Sequence, residues 1–423
     1  MNIITDCFQT LKNNRTAKVL ASNFIWLSIL KLLGFVFPLI TLPYLSRVIG
    51  VENFGIISYA ASIIYFLELF VDFGFNYTAT RDVAKNRENH TKIESIYSDV
   101  FWAKNTLMFI GLLILLVVVL LVPQCKENAL LIIITFLYIP GHILFPDWFF
   151  QAMEDMKYIS ILNILSKCLF TVLVFVFIKD KNDYILQPLL TAVGFWVSGI
   201  ISIVFIRNKY NIAICKPRLN NIVRILKSSI NMFVCQFIPS LYSNYSVIAL
   251  QHFAGSSNVG IFTSGKRIPD ILSQVASLLS RVFFPYLARN VSKHSIYVYL
   301  NIIISLCLSI PLYFSADIII NIFFTDEFRA AADVIRIYAI SLPFQFIDNC
   351  FGNNYLVVVG KENILMKNVF IGSFLGIILT ILLIKSYGYL GAALTFLVIR
   401  VYFAISNFIL ARHQKRTQSS INI

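Results

Sequence analysis

Long apolar runs alternate with short polar breaks along almost the whole chain; "TLMFIGLLILLVVVLLVP" (106–123) and "IGSFLGIILTILLI" (371–384) are the plainest. A run of ~20 largely apolar residues makes a helix long enough to cross a bilayer. The pattern therefore predicts an all-α polytopic membrane protein. Reading apolar runs between charged or Gly/Pro breaks gives 12 spans, at 20–46, 53–76, 101–123, 128–146, 158–178, 184–206, 229–251, 258–286, 295–316, 331–358, 364–384 and 388–411. The eighth and tenth are the longest and most polar.

A short motif occurs twice. "GVENFGIIS" (50–58) and "GSSNVGIFT" (255–263) both read G-x-x-N-x-G-I-x-(S/T), 205 residues apart. "FFQAMEDMKYISILN" (149–163) and "LVVVGKENILMKNVF" (356–370) echo each other at an offset of 207. The first pair joins spans one and two, and seven and eight; the second joins spans four and five of each half. This predicts two six-span halves of equal orientation, 1–206 and 229–411, with a basic linker at 207–228 and a tail at 412–423. Such a parallel repeat has its pseudo-axis along the membrane normal and is a common plan for transporters.

Composition and charge sharpen this picture. The chain is 58% hydrophobic and 13% charged, with a formal net charge of +14. Placing the N-terminus inside puts 22 Lys and Arg on the cytoplasmic side, Lys104 among them, against 6 outside, of 35 in total. Positive residues favour the cytoplasmic face, so both termini are expected there. The basic excess then orients the protein and meets anionic membrane lipid; no nucleic-acid partner is expected. No inner or outer segment is large enough for a catalytic domain, and no enzymatic activity is expected. Seven cysteines are scattered singly, without C-x-x-C, so neither a disulfide frame nor a metal site is expected. The N-terminus shows no cleavable signal pattern. "GIFTSGKR" (260–267) imitates a phosphate-binding loop, but Arg267 stands where Ser or Thr should hold magnesium and no strand precedes it.

One block is more specific. Pro43-Tyr44-Leu45-Ser46-Arg47-Val48-Ile49-Gly50, Phe54-Gly55, Asp72-Phe73-Gly74-Phe75 and Thr80-Arg81 follow one another within 38–87. With "NVGIFTSGKRIPDIL" (258–272) and "YGYLGAALTFLVIR" (387–400), this resembles the bacterial O-antigen and polysaccharide flippases of the multidrug/oligosaccharidyl-lipid/polysaccharide exporter superfamily. The resemblance implies a MATE-like fold of two six-helix bundles around a central cavity. It implies a lipid-linked oligosaccharide substrate, an O-antigen unit on undecaprenyl pyrophosphate, moved from the cytoplasmic to the periplasmic leaflet of the bacterial inner membrane. Polymerase and chain-length proteins of the same pathway are then candidate partners. Two alternatives stay open: an exporter of another cargo in the superfamily, and a membrane O-antigen polymerase.

A sugar-diphosphate head needs a wet, cationic path. An ionisable group at bilayer depth is costly unless it faces a cavity or a partner. Lys31, Lys266, Arg267, Arg336 and Arg400 lie within predicted spans, and Arg47 and Arg81 at span ends; these seven are the candidate substrate-binding residues. Competing structural roles exist. Arg47 could anchor at headgroups, Arg81 could serve only orientation, Asp270 could neutralise Lys266 or Arg267, and Lys167 and Arg400 could pair with acids of other spans. Asp72, Asp270 and Asp348, with Glu68 one turn before Asp72, are candidates for ion coupling. No cofactor is expected beyond a proton or sodium gradient.

Overall fold

The structure, a computed structural model, describes residues 15–216 and 219–421. Every regular element among them is helical. The first half runs α1 (Arg15–Asp72), α2 (Phe75–Lys85), α3 (His90–Leu121), α4 (Pro123–Glu127), α5 (Ala129–Phe136), α6 (Tyr138–Leu144), α7 (Asp147–Ala152), α8 (Met156–Phe177) and α9 (Leu186–Tyr210). The second runs α10 (Leu219–Ala254), α11 (Ser256–Arg289), α12 (His294–Phe314), α13 (Ala316–Phe323), α14 (Ala331–Phe351) and α15 (Glu362–Ile421).

Among the described residues, eight helical segments combine crossing length with membrane hydropathy. Two of these, Val36–Lys85 with 50 residues and Glu362–Lys415 with 54, are far longer than the ~20 residues one crossing needs. Each bends at a glycine. Gly50 has φ 73° and ψ 175° inside α1, and Gly388 has φ 56° and ψ −129° inside α15. Residues with a Cβ rarely take such angles, so each long segment divides into two spans where the sequence places a break. α11 and α14 carry the predicted eighth and tenth spans and fall outside the eight because they are more polar. All 12 predicted spans lie on helices.

The fourth predicted span, 128–146, is interrupted, with α5 ending at Phe136 and α6 beginning at Tyr138. Pro140 lacks the N–H that would bond the Phe136 carbonyl, and its ring crowds that turn. At this break the Trp196 indole N–H donates to the next carbonyl, that of Leu137, at 2.8 Å, the kind of partner that interrupted backbone takes in lipid.

The chain forms two compact units, Met1–Tyr44 with Ile63–Phe237, and Leu45–Ser62 with Ile238–Ile423. In the first, Val71, Phe75, Val100, Ala103, Phe149 and Phe150 are buried, with the Tyr97 and Phe149 rings edge to face at 5.4 Å. In the second, Leu250, Val259, Phe262, Val334, Tyr338 and Ala393 pack into one cluster, and Tyr338 stacks on Phe396 at 4.3 Å. Inside lipid such contacts stabilise by close packing rather than by water exclusion. Outward faces are apolar as well: Phe109, Leu113, Leu120 and Leu121 of α3 are exposed, as suits a helix facing hydrocarbon.

Candidate functional site

In the first unit, polar side chains converge where α1 ends. Glu68 and Asp72 are four residues apart and so share a face of the last turn of α1. Tyr138 and His142 share a face of α6 in the same way, and Lys104 comes from α3. The Lys104 ammonium lies 2.8 Å from Asp72 Oδ1. His142 Nε2 lies 3.2 Å from the same oxygen and 3.4 Å from Oδ2, and Asn76 donates to Oδ2 at 3.3 Å. The Tyr138 hydroxyl donates to Glu68 at 3.1 Å, and His142 is 3.8 Å from Glu68. Lys104 is 2% exposed and Asp72 8%. A turn with positive φ at Phe73 and Gly74 stops α1 at Asp72 and starts α2 beside it. A side chain at Gly74 would also meet the backbone of Met232 and Phe233.

Glu68, Asp72 and His142 offer one ligand atom each, all within 4.8 Å of one another. The Lys104 ammonium already bonds Asp72 Oδ1, and its positive charge disfavours a cation beside it. The set is therefore better suited to holding protons than a metal.

The second unit carries a polar chain in α14 and α15. Arg400 bonds to Asp348 at 3.3 Å, and Asn407 donates to the other oxygen of that carboxylate at 2.8 Å. Asn368 donates to Asn407 at 2.8 Å and accepts from the Tyr402 hydroxyl at 2.8 Å. The Arg400 guanidinium also lies over the Phe396 ring, 4.9 Å from its centre. Asp270 sits three and four residues beyond Arg267 and Lys266 on α11. Among the described residues neither cation makes an ion pair; Lys266 lies over the Phe262 ring at 5.7 Å and Arg267 over Phe54 at 5.8 Å.

The predicted residues thus separate by environment. Lys266 and Arg267 stand on one helix without ion pairs, and Arg267 is exposed. Arg47 is exposed too. Arg400, Asp72 and Asp348 are drawn into pairs. Arg336, expected at membrane depth, lies in the second turn of α14 and bridges Asp317 at 2.5 Å and Asp333 at 2.8 Å. Arg81 pairs with its neighbour Asp82 at 2.9 Å and is mostly exposed. The side chain of Lys31 lies outside the described residues. Lys167 rests with its ammonium in the notch above Gly34, where a built Cβ would be 3.1 Å from it.

Lys104, counted by charge with the cytoplasmic positives, lies within α3 and pairs with Asp72 rather than standing in solvent. Tyr138 and His142 were not singled out by sequence. The break at Pro140 was the available signal, because it sets off a short polar turn in an otherwise apolar span.

Comparison with known proteins agrees with this architecture. An Escherichia coli (strain K12) protein named "Putative O-antigen transporter" is 28% identical over 387 residues, covering 89% of this chain and 93% of that protein. Among solved structures, "Lipid II flippase MurJ, inward closed conformation" superposes with a TM-score of 0.72 at 14% identity, covering 93% of this chain and 87% of that one. An inward-facing multidrug resistance MATE family transporter gives 0.67 at 14% identity, covering 94% of this chain and 99% of that one. At such identity these structures speak for the fold alone. The family model described as "Polysaccharide biosynthesis protein" matches residues 20–291, well over half of an all-helical, multi-pass membrane chain, and the chain belongs to that family.

Proposed function

We propose that this protein flips undecaprenyl-pyrophosphate-linked O-antigen oligosaccharide units from the cytoplasmic to the periplasmic leaflet of a bacterial inner membrane by alternating access. Its two six-span halves lie in equal orientation and both termini are cytoplasmic. The observation that carries the reading is the nearly end-to-end relation to the Escherichia coli protein named for O-antigen transport, over 89% of this chain and 93% of that one. The fold, shared with a protein titled as a lipid II flippase, is compatible with it. Lys266 and Arg267, set in a membrane helix without ion pairs among the described residues, suit a diphosphate.

The cluster in the first unit supports proton coupling. Glu68, Asp72 and the Lys104 ammonium leave one negative charge when His142 is neutral, and the Asp147 carboxylate acts on the same groups. A further proton, on His142 or Glu68, lowers the negative charge of the site, and uncompensated buried charge is costly. Taking up and releasing that proton is the coupling step we assign to the cluster.

The test is reconstitution. Purified protein in vesicles, supplied with a fluorescent lipid-linked oligosaccharide, should exchange label between leaflets, and an imposed proton gradient should change the rate. Exchange no faster than in protein-free vesicles would reject the transport reading. Exchange indifferent to the gradient would reject the coupling alone.

A further inference from the structure

In the second unit, the segment that joins the ninth predicted span to the tenth folds into α13 and a 3-10 turn at Asp326–Phe328. Its apolar side is firmly seated. Ala316, Ile320, Phe324 and Phe328 are buried, and the Phe324 and Phe328 rings lie 5.2 Å apart. Its polar side encloses a cavity of about 240 Å³, lined by Asp317, Ile320, Asn321, Asp326 and Arg329. Asp317 and Asn321 are four residues apart and so share a face of α13. Asp326 comes from the turn, and Arg329 directly follows it.

Three of these polar side chains carry unused bonding capacity. Asn321, Asp326 and Arg329 are exposed and make no side-chain hydrogen bond or ion pair among the described residues. Asp326 and Arg329 carry opposite charges three residues apart, yet they do not pair. Asp317 is held by Arg336 at 2.5 Å, and Arg336 also holds Asp333 at 2.8 Å. Three carboxylates against two guanidiniums leave one negative charge, which repels a diphosphate. The guanidinium that lines the cavity and the one bonded to Asp317 disfavour a metal ion as well.

What the cavity offers is a mixed set of bonding groups. Asp317, Asp326 and the Asn321 carbonyl accept, and Arg329 and the Asn321 amide donate. Ile320 supplies an apolar wall. A sugar ring has the matching complement, since its hydroxyls both donate and accept and its C–H faces are apolar. Flat, forked groups such as carboxylate and guanidinium bridge two neighbouring hydroxyls at once. The volume falls below the ~300–1,000 Å³ of pockets for drug-sized ligands, so the cavity suits one ring of an oligosaccharide and not the whole.

We propose that this cavity is a subsite for one neutral sugar ring of the cargo on the periplasmic side, with Asp326 and Arg329 as its specificity-determining residues. This rests on the reading of the chain as a flippase with cytoplasmic termini, which sets the segment after the ninth span outside. The headgroup's diphosphate and its sugars are then recognised by different chemistry: unpaired cations for the first, and mixed donors and acceptors for the second.

The experiment uses the full chain in phospholipid nanodiscs, with free N-acetylglucosamine, galactose, mannose and rhamnose as probes and saturation-transfer NMR as the readout. At least one sugar should take saturation from the native protein. Asp326→Asn and Arg329→Gln should each lower that signal about threefold or more, because each removes charge-assisted hydrogen bonds to the ring. Both side chains are exposed, so the unfolding temperature should not move. Pyrophosphate and calcium should leave the signal unchanged. No signal from any of the sugars, equal signals in native and variant proteins, or displacement by pyrophosphate or calcium would each overturn the subsite. In vesicles, the Asp326→Asn, Arg329→Gln double variant should slow leaflet exchange of the fluorescent lipid-linked oligosaccharide about threefold or more, and exchange at the native rate would overturn its part in transit. If the native chain exchanges nothing yet gives a sugar signal that both variants lose, the subsite stands and the transport reading falls.

Discussion

Lys104 and Asp72 form the most deeply buried ion pair among the described residues, at 2.8 Å with the lysine side chain 3% exposed. Removing one partner leaves a charge in a water-poor site, which costs about 3–5 kcal/mol. Lys104→Met should therefore lower the melting temperature sharply, and adding Asp72→Asn should restore most of the loss; thermal unfolding in detergent decides this. Equal melting temperatures for Lys104→Met and the native chain would show that the pair is not buried as described. Outside the membrane, Glu154 bonds to Arg87 at 2.9 Å, and that bond holds its carboxyl below the ordinary value of 4.5. A depressed folded-state value contributes stability above the unfolded value and loses it as pH falls through the folded one. The pair is partly exposed, so the effect is small, about 0.2–1 kcal/mol. Glu154→Gln should destabilise slightly at pH 7 and not at pH 3. At this scale sequence reading met its limit. Charge counting placed Lys104 at the membrane face because a lysine near a span end ordinarily stays there, and only the neighbouring helix supplies the carboxylate that draws it in.

The helices were mostly legible, since apolar runs of crossing length leave few alternatives in lipid. Legible too were the breaks at Gly50 and Gly255, whose shared motif turned out to encode one shared conformation. Less legible was the interruption between α5 and α6: Pro140 is visible in sequence, but a proline in a membrane helix is often absorbed as a kink, and the Trp196 indole that bonds the Leu137 carbonyl at the break comes from a neighbouring helix. Gly74 belongs to this scale. Its φ of 77° and the nearness of Met232 and Phe233 leave no room for a side chain. Gly74→Ala should destabilise by about 1–3 kcal/mol and displace Asp72 from Lys104 and His142. Unfolding together with the pH dependence of transport reads both effects, and an alanine variant identical to the native protein in both would show that the turn is not what sets the cluster.

For the whole molecule, the 38–87 block, with the segments at 258–272 and 387–400, was enough to indicate the family, and the family model over residues 20–291 bears that out. The path of the headgroup was not legible. Seven cations were candidates by their place within spans or at span ends, yet sequence cannot tell a cation that meets an anion of its own chain from one left for a ligand. The structure shows their environments: Arg336 and Arg400 meet aspartates, Arg400 also lies over Phe396, and Lys266 and Arg267 rest on aromatic faces without ion pairs among the described residues; we propose that the latter two are the ones left for the headgroup. A charged hydrogen bond to a phosphate contributes about 1.5–3 kcal/mol, and every 1.4 kcal/mol is about tenfold. Lys266→Ala and Arg267→Ala should therefore each slow exchange about tenfold or more, whereas Arg336→Ala should leave it within about twofold.

Leaflet exchange of a fluorescent undecaprenyl-pyrophosphate-linked oligosaccharide in reconstituted vesicles is the most direct measurement of all. The account predicts protein-dependent exchange in the native chain and its near loss in the Lys266→Ala, Arg267→Ala double variant with folding intact. Exchange at the protein-free rate, or full exchange by the folded double variant, would contradict it.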